Sequence, residues 1–234
     1  MDDLLTRFGL IALATDMTIE RDAQRLMPEG TALHVTRIEF ANPTTPDNLR
    51  ATGPRLAAAA ALLVPGVDLA GIGFGCTSAS AVLGDDLPRL LDDGRAPVST
   101  PVNGAVRGLK AMGLSRLALM TPYLAETTVP VAESFAKGGI EVVSQHSMGH
   151  GDDRDMARLS DQAMIDAVAR ADTPDAQAIF MSCTALPALR VIPRLEAMLG
   201  KPVLSSNLAL FWSMLDRAQV PCAGPFRLMG CRTW

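Results

Sequence analysis

The sequence predicts an α/β fold of two pseudo-symmetric lobes, each a four-stranded parallel sheet flanked by helices. Two observations predict it. Runs rich in Ile, Val and Leu alternate with Ala-, Leu- and Arg-rich segments of helical period, the pattern of a parallel layered sheet. The chain also reads twice. Phe74-Gly75-Cys76-Thr77-Ser78-Ala79 closes an apolar run in the first half, and Met181-Ser182-Cys183-Thr184-Ala185-Leu186 closes an equivalent run 107 positions later. Arg7-Phe8-Gly9-Leu10-Ile11-Ala12-Leu13 echoes Arg116-Leu117-Ala118-Leu119-Met120 at nearly that offset, Leu33-His34-Val35 echoes Glu141-Val142-Val143, and Ala96-Pro97-Val98 echoes Lys201-Pro202-Val203.

Strands are expected near residues 8–14, 32–40, 69–75 and 96–100, and again near 116–121, 139–146, 177–182 and 202–205. Helices are expected near 18–27, 46–64, 78–92, 102–112, 124–137, 156–171 and 185–199, with Asp47 and Ser160 placed as N-caps and Gly113 and Gly200 as stops. A last helix over 206–220 carries Leu208, Leu210, Phe211, Met214 and Leu215 at helical spacing, and in a duplicated fold it is expected to cross back onto the first lobe. The expected lobes are therefore 1–100 plus 206–234 and 101–205, with the active site at their interface. The tail from Cys222 to Trp234 has no clear period.

With 234 residues and 48% hydrophobic content the chain has ample material for a core. A net charge of −4 argues against nucleic acid or an anionic membrane as partner, since both need a clustered basic surface, and favours a small molecule. The acidic start Met1-Asp2-Asp3 lacks the basic region of a secretory signal, and the apolar stretch 56–64 is too short to span a bilayer, so a cytoplasmic protein is expected. Four cysteines without C-x-x-C spacing read as reduced thiols. Oligomeric state is open, with a homodimer among the assemblies allowed.

Cys76 follows Gly71-Ile72-Gly73-Phe74-Gly75, small residues that let the chain turn at the C-terminal end of a strand, where parallel sheets bind ligands. With Thr77 and Ser78 opening a helix after it, the thiol is expected to meet free N–H groups and the positive helix end, which lower its pKa and hold a substrate carboxylate. Cys183, followed by Thr184 and with Pro187 in a first turn, is expected to share that context. One such cysteine alone reads as a small buried apolar residue; a matched pair at duplicated strand ends reads as catalytic. Cys222 and Cys231 read as structural.

The glycines of 71–75 do not have dinucleotide-loop spacing, and no nicotinamide site follows from them. His146, His150, Asp152, Asp153 and Asp155 fit no metal-ligand pattern and read as a polar loop on the active-site rim. His34 reads as a satisfied strand residue. Tyr123, the only tyrosine, ends a strand in Thr121-Pro122-Tyr123 and faces the cysteines, where its hydroxyl can donate to a carboxylate or enediolate oxygen.

With these residues in place, Gly75-Cys76-Thr77-Ser78, Leu119-Met120-Thr121-Pro122-Tyr123 and Ser182-Cys183-Thr184 together resemble the Asp/Glu racemase superfamily, in its branch of maleate cis-trans isomerases and arylmalonate decarboxylases. The resemblance implies no cofactor and no metal. It implies Cys76 as nucleophile or base on one face of the substrate, Cys183 as acid on the other, and Tyr123 orienting a carboxylate. Retention of both cysteines resembles the isomerase and racemase members. Where maleate isomerases carry a carboxylate-binding Asn after the first strand, this chain has Asp16, and a second family Asn falls at or beside Asp153. Anionic side chains repel a dicarboxylate unless protonated or offset by a substrate cation. Ala14-Thr15-Asp16 looks like the ectoine-utilisation members, whose compounds pair a carboxylate with a cationic or amidine nitrogen. The other reading of Asp16 is a cap for a helix opening at Met17.

The expected function is thus an isomerase or racemase of a small amino or imino carboxylate, with backbone N–H groups and hydroxyls at Thr77, Ser78 and Thr184 stabilising an enediolate. Decarboxylation through the same enediolate is the runner-up, and a non-catalytic binding protein on the same scaffold is the third reading.

Overall fold

Apolar side chains on both faces of the strands demand a covering layer on each side. In the first strand, β1 (Thr6–Leu13), Phe8, Leu10, Ile11 and Leu13 are all buried. The computed structural model describes residues 5–91, 94 and 96–234. After β1 come α1 (Ile19–Leu26), β2 (Thr31–Ile38), α2 (Pro46–Arg50), α3 (Leu56–Ala61), β3 (Gly71–Gly75), α4 (Thr77–Leu83), α5 (Leu87–Leu91), β4 (Val98–Ser99) and α6 (Pro101–Ala111). The second half runs β5 (Arg116–Thr121), α7 (Ala125–Lys137), β6 (Glu141–Ser147), α8 (Asp153–Met156), α9 (Asp161–Ala171), β7 (Ala178–Met181), α10 (Ile192–Leu199), β8 (Val203–Ser205) and α11 (Ser206–Arg217). All pairings are parallel, in the orders β2-β1-β3-β4 and β6-β5-β7-β8. The two sheets repeat one topology, as the duplicated sequence predicts.

Four predicted helices are interrupted, each for a local reason. The stretch 46–64 breaks at Gly53-Pro54, where a 3-10 turn intervenes because proline brings no N–H. Its cap is Thr45, which accepts from the Asn48 N–H at 3.4 Å, and Asp47 lies inside the first turn. The stretch 78–92 breaks at Gly84, whose φ of 51° ends α4; residue 92 lies outside the described residues. Ser160 caps α9 by accepting from the Ala163 N–H at 3.2 Å, and this splits the predicted 156–171 helix from the single turn of α8. The expected helix 185–199 starts only at Ile192, after an irregular turn and the 3-10 turn Ala188–Arg190. Gly113 and Gly200 stop their helices in the left-handed region, with φ of 71° and 68°.

Helix α11 joins the halves. Leu210 and Met214 press under β3, where a Cβ at Gly73 would stand 2.7 Å from the Met214 sulfur. Against α6 the fit is closer still, for a Cβ on Gly104 would lie 2.4 Å from the Ala209 carbonyl oxygen. The tail, without period in the sequence, is tied down by side chains. Asp216 accepts from Arg107 Nε at 2.9 Å and from the Thr233 N–H at 3.0 Å, Trp212 Nε1 donates to the Cys231 carbonyl at 3.3 Å, and Arg232 donates to the Met229 carbonyl at 2.8 Å. Among the described residues no helix is long and apolar enough to cross a membrane.

Because the atom opposing Gly104 is backbone, Gly104→Ala must push α6 and α11 apart. We expect it to cost about 1–3 kcal/mol, read as a lower urea midpoint with unchanged slope. An unchanged midpoint contradicts the packing described.

Candidate active site

Each of the inner strands β3 and β7 delivers one thiol to the seam between the sheets. Cys76 is the N-cap of α4, and its Sγ accepts from the Ala79 N–H at 3.4 Å and lies 3.7 Å from Ser78 Oγ. That is the strand-to-helix turn expected. Cys183 differs from the expectation: it sits at φ 91°, the left-handed region, and no helix starts behind it. Pro187, expected in a first helical turn, instead precedes the 3-10 turn. The Cys183 sulfur is faced by the Ala185 N–H and the Tyr123 hydroxyl, and stands 3.7 Å from Met156 Sδ.

The two thiols line one small cavity of about 20 Å³ with Asp16, Thr77, Ser78, Tyr123, Asp153 and Thr184, so all the residues expected to be catalytic or substrate-binding meet here, whereas His146, His150, Asp152 and Asp155 of the expected rim loop do not line it. That volume admits about one water. A substrate of several heavy atoms enters only if the walls part. A larger cavity of about 400 Å³ beside Ser80, Asn103 and Lys137 holds no thiol, and we take the smaller as the site because the titratable groups converge there.

The two carboxylates have different surroundings. Asp16 Oδ1 accepts from the Thr18 and Ile19 N–H groups at 2.8 and 2.9 Å, so this oxygen caps α1. Its Oδ2 is buried without a partner, because the single proton of the nearby Thr184 hydroxyl goes to the Gly75 carbonyl at 3.1 Å. The capping reading therefore accounts for one oxygen and leaves the other facing the cavity. Asp153 is fully engaged: Oδ1 accepts from Asn42 Nδ2 at 2.7 Å and Oδ2 from the Thr15 hydroxyl. Since Thr15 and Asn42 follow β1 and β2, Asp153 ties the second half of the chain to the first across the rim. The Thr44 N–H adds to this seam by donating to the Gly151 carbonyl at 2.7 Å. Thr77 donates its hydroxyl to Ser206 Oγ at 2.7 Å, and the Tyr123 hydroxyl accepts from Ser182 at 3.4 Å.

Electrostatics overturns the expectation of acidic thiols. Burial pushes the Cys76 thiol up to about 12 despite the helix end, and the charges of Asp16 and Asp153 add to the rise. Burial and Asp16 raise Cys183 as well. Burial likewise raises Tyr123 and Asp16, although two backbone N–H groups oppose the shift at Asp16. No Lys, Arg or His is among the described residues lining the cavity. With desolvation opposing ionisation and no cation to favour it, the thiols rest protonated.

The arylmalonate decarboxylase family model matches residues 72–227, a span that holds both thiol turns and Tyr123. The chain belongs to that family. It is 34% identical over 124 residues to the arylmalonate decarboxylase of Bordetella bronchiseptica, covering 52% of each chain. To the maleate isomerase of Geobacillus stearothermophilus it is 30% identical over 136 residues, covering 56% of this chain and 54% of that one. The chain thus matches about half the length of these curated relatives. In fold it is similar over 96% of its length, with a TM-score of 0.84 and 20% identity, to a Nocardia farcinica maleate cis-trans isomerase mutant with a covalently bound succinylcysteine intermediate, 98% of which is covered. The membership agrees with the resemblance drawn from the three sequence motifs.

Sequence reasoning missed several residues that line the cavity or hold its walls. Leu13, Phe40, Thr44 and Met156 line the cavity, and Thr15 and Asn42 hold Asp153. Thr15 adjoins Asp16 after the first strand, a signal within reach; Asn42 lies 111 residues from its partner and carried none. His34, expected to be satisfied, has a buried Nε2 without a partner.

Behind Asp16, burial also lifts Asp22 of α1 to about 6. Its folded pKa thus lies above its unfolded value of 3.8. Between those two values the unfolded chain has released a proton that the folded one keeps, so stability falls as pH rises through the window and levels off above it. The expected loss is up to about 3 kcal/mol. Asp22→Asn removes this slope, which urea unfolding of both proteins across the window reads directly. An identical pH dependence in the variant contradicts the assignment.

Proposed function

We propose that this protein is a cofactor-independent isomerase or racemase of a small amino or imino carboxylate. The observation that carries the reading is one cavity holding two thiols from duplicated strand ends and a buried, unpartnered carboxylate oxygen on Asp16, with no cationic side chain in its described lining. An ionised Asp16 repels a plain dicarboxylate there. A substrate with a cation beside its carboxylate pairs the cation with Asp16 Oδ2 and leaves the carboxylate to neutral donors, the Ser78 hydroxyl and the Tyr123 hydroxyl among them. Pairing also offsets the Asp16 charge, which adds to the rise that burial imposes on both thiols, and so lowers the cost of forming a thiolate.

One thiolate then takes the α-proton while the other thiol delivers a proton to the opposite face, leaving the pair ready for the reverse reaction. For a C=C substrate the thiolate adds to one carbon, the bond rotates, and expulsion of the sulfur restores the double bond. The succinylcysteine intermediate of the Nocardia farcinica mutant supports such an addition. Thiolate charge and enediolate charge both develop beside the N–H groups of Ala79 and Ala185. The family match also supports a second reading, decarboxylation through the enediolate; retention of both cysteines favours isomerisation. The Ala14-Thr15-Asp16 resemblance supports a substrate from ectoine or hydroxyectoine breakdown.

The test is an assay in deuterium oxide over enantiomers of ectoine-pathway amino acids and over maleate. Deuterium at the α-carbon with interconversion of enantiomers is expected; carbon dioxide release would favour the second reading. Asp16→Asn, which keeps the α1 cap, should weaken the cationic substrate by about 2–5 kcal/mol and improve acceptance of plain dicarboxylates. Unchanged selectivity would leave Asp16 as a cap alone.

A further inference from the structure

The first two residues of α11 reach both thiol turns. Ser206 Oγ accepts the hydroxyl of Thr77, which follows Cys76, and Asn207 Nδ2 donates to the carbonyl of Thr184, which follows Cys183, at 2.8 Å. The same Asn207 nitrogen donates to Asp22 Oδ2 at 2.8 Å, and the next carbonyl of the turn, that of Ala185, accepts from the Thr18 hydroxyl at 2.6 Å. All five side chains are buried, Asn207 at 1% exposure. Asn207 Oδ1 has no partner. The amide therefore leaves its acceptor unused while its two N–H groups meet two acceptors, an arrangement that neither Asp nor Leu at this position reproduces.

This chain answers a need visible at Cys183. A non-glycine residue at φ 91° persists only where its surroundings over-determine it, and the irregular turn behind it supplies no helix to do so. The restraint comes instead from Thr18, just before α1, and from Asn207 of α11, which donate to consecutive carbonyls of the turn. We propose that Asn207, oriented by Asp22, is a positioning residue that with Thr18 fixes the Cys183–Ala185 turn so that the Ala185 N–H faces the Cys183 thiol. The catalytic use of that thiol rests on the function proposed above; the restraint on the turn does not.

The test therefore avoids turnover. Alkylation of Cys76 and Cys183 by iodoacetamide is followed residue by residue by mass spectrometry across alkaline pH, in the wild type, Asn207→Leu and Thr18→Val. Loss of the Ala185 N–H from the thiolate raises the Cys183 pKa further, so its alkylation at fixed pH should fall at least about threefold in Asn207→Leu. Thr18→Val should act in the same direction, and Cys76 should keep its rate in both. General loosening does the opposite, speeding both thiols together. A Cys183 rate that is unchanged, that rises, or that moves in step with Cys76 overturns the proposal. Should Asn207→Leu fail to fold, Thr18→Val carries the same criteria alone. A slowed Cys183 in a protein without isomerase activity would sustain the restraint and sink the function, so the two failures are distinguishable.

Discussion

Two thiols and two carboxylates are buried together at a seam that offers them no cation among the described residues, and much of the molecule is arranged around that constraint. A buried polar group is costly unless it is hydrogen-bonded, and a buried charge costs more. The seam meets this cost group by group: Asp153 is satisfied by Thr15 and Asn42, Asp16 Oδ1 by the start of α1, Asp22 by Asn207. Asp16 Oδ2 and Asn207 Oδ1 are left without a partner, and of the two the Asp16 oxygen belongs to a residue lining the cavity. Unsatisfied polar atoms in a native interior invite a functional account, and the cationic substrate proposed above would supply one for Asp16.

Duplication brought the two thiols to equivalent strand ends without making them equivalent. Cys76 has a helix end at its back and an N–H from its own helix, whereas Cys183 lies on a left-handed turn held from outside by Thr18 and Asn207. Under the proposed function such asymmetry serves the pair, since one member gives up a proton while the other holds one. Helix α11 stands at the centre of this arrangement. Its N-terminal residues touch both thiol turns, its middle packs on β3 and α6, and its end anchors the tail through Asp216.

The fold was legible in the sequence to the extent that it depends on local pattern. All eight strands followed from apolar runs and a repeated offset; Cys76, Cys183 and Tyr123 were read from strand ends, where parallel sheets expose their chemistry, and Asp16 and Asp153 from the family resemblance, and all five line one cavity. Helix interiors were read too long wherever one residue decided the matter: Pro54, Gly84 and Ser160 each cut a periodic stretch. The thiol pKa values were misread because a helix end was weighed without the depth of burial around it, a quantity fixed by the meeting of two sheets. Asn42 and Asn207 were invisible for the same reason, as their partners lie 111 and 185 residues away.

The central claim is that Cys76 and Cys183 act on one substrate held between them. Its most direct measurement is turnover and binding of a cationic amino carboxylate substrate in Cys76→Ala and Cys183→Ala. Removing one proton-transfer group should lower turnover by about 10²–10⁴-fold in each variant, while substrate affinity stays close to that of the wild type. Turnover retained in either variant would contradict the two-thiol account.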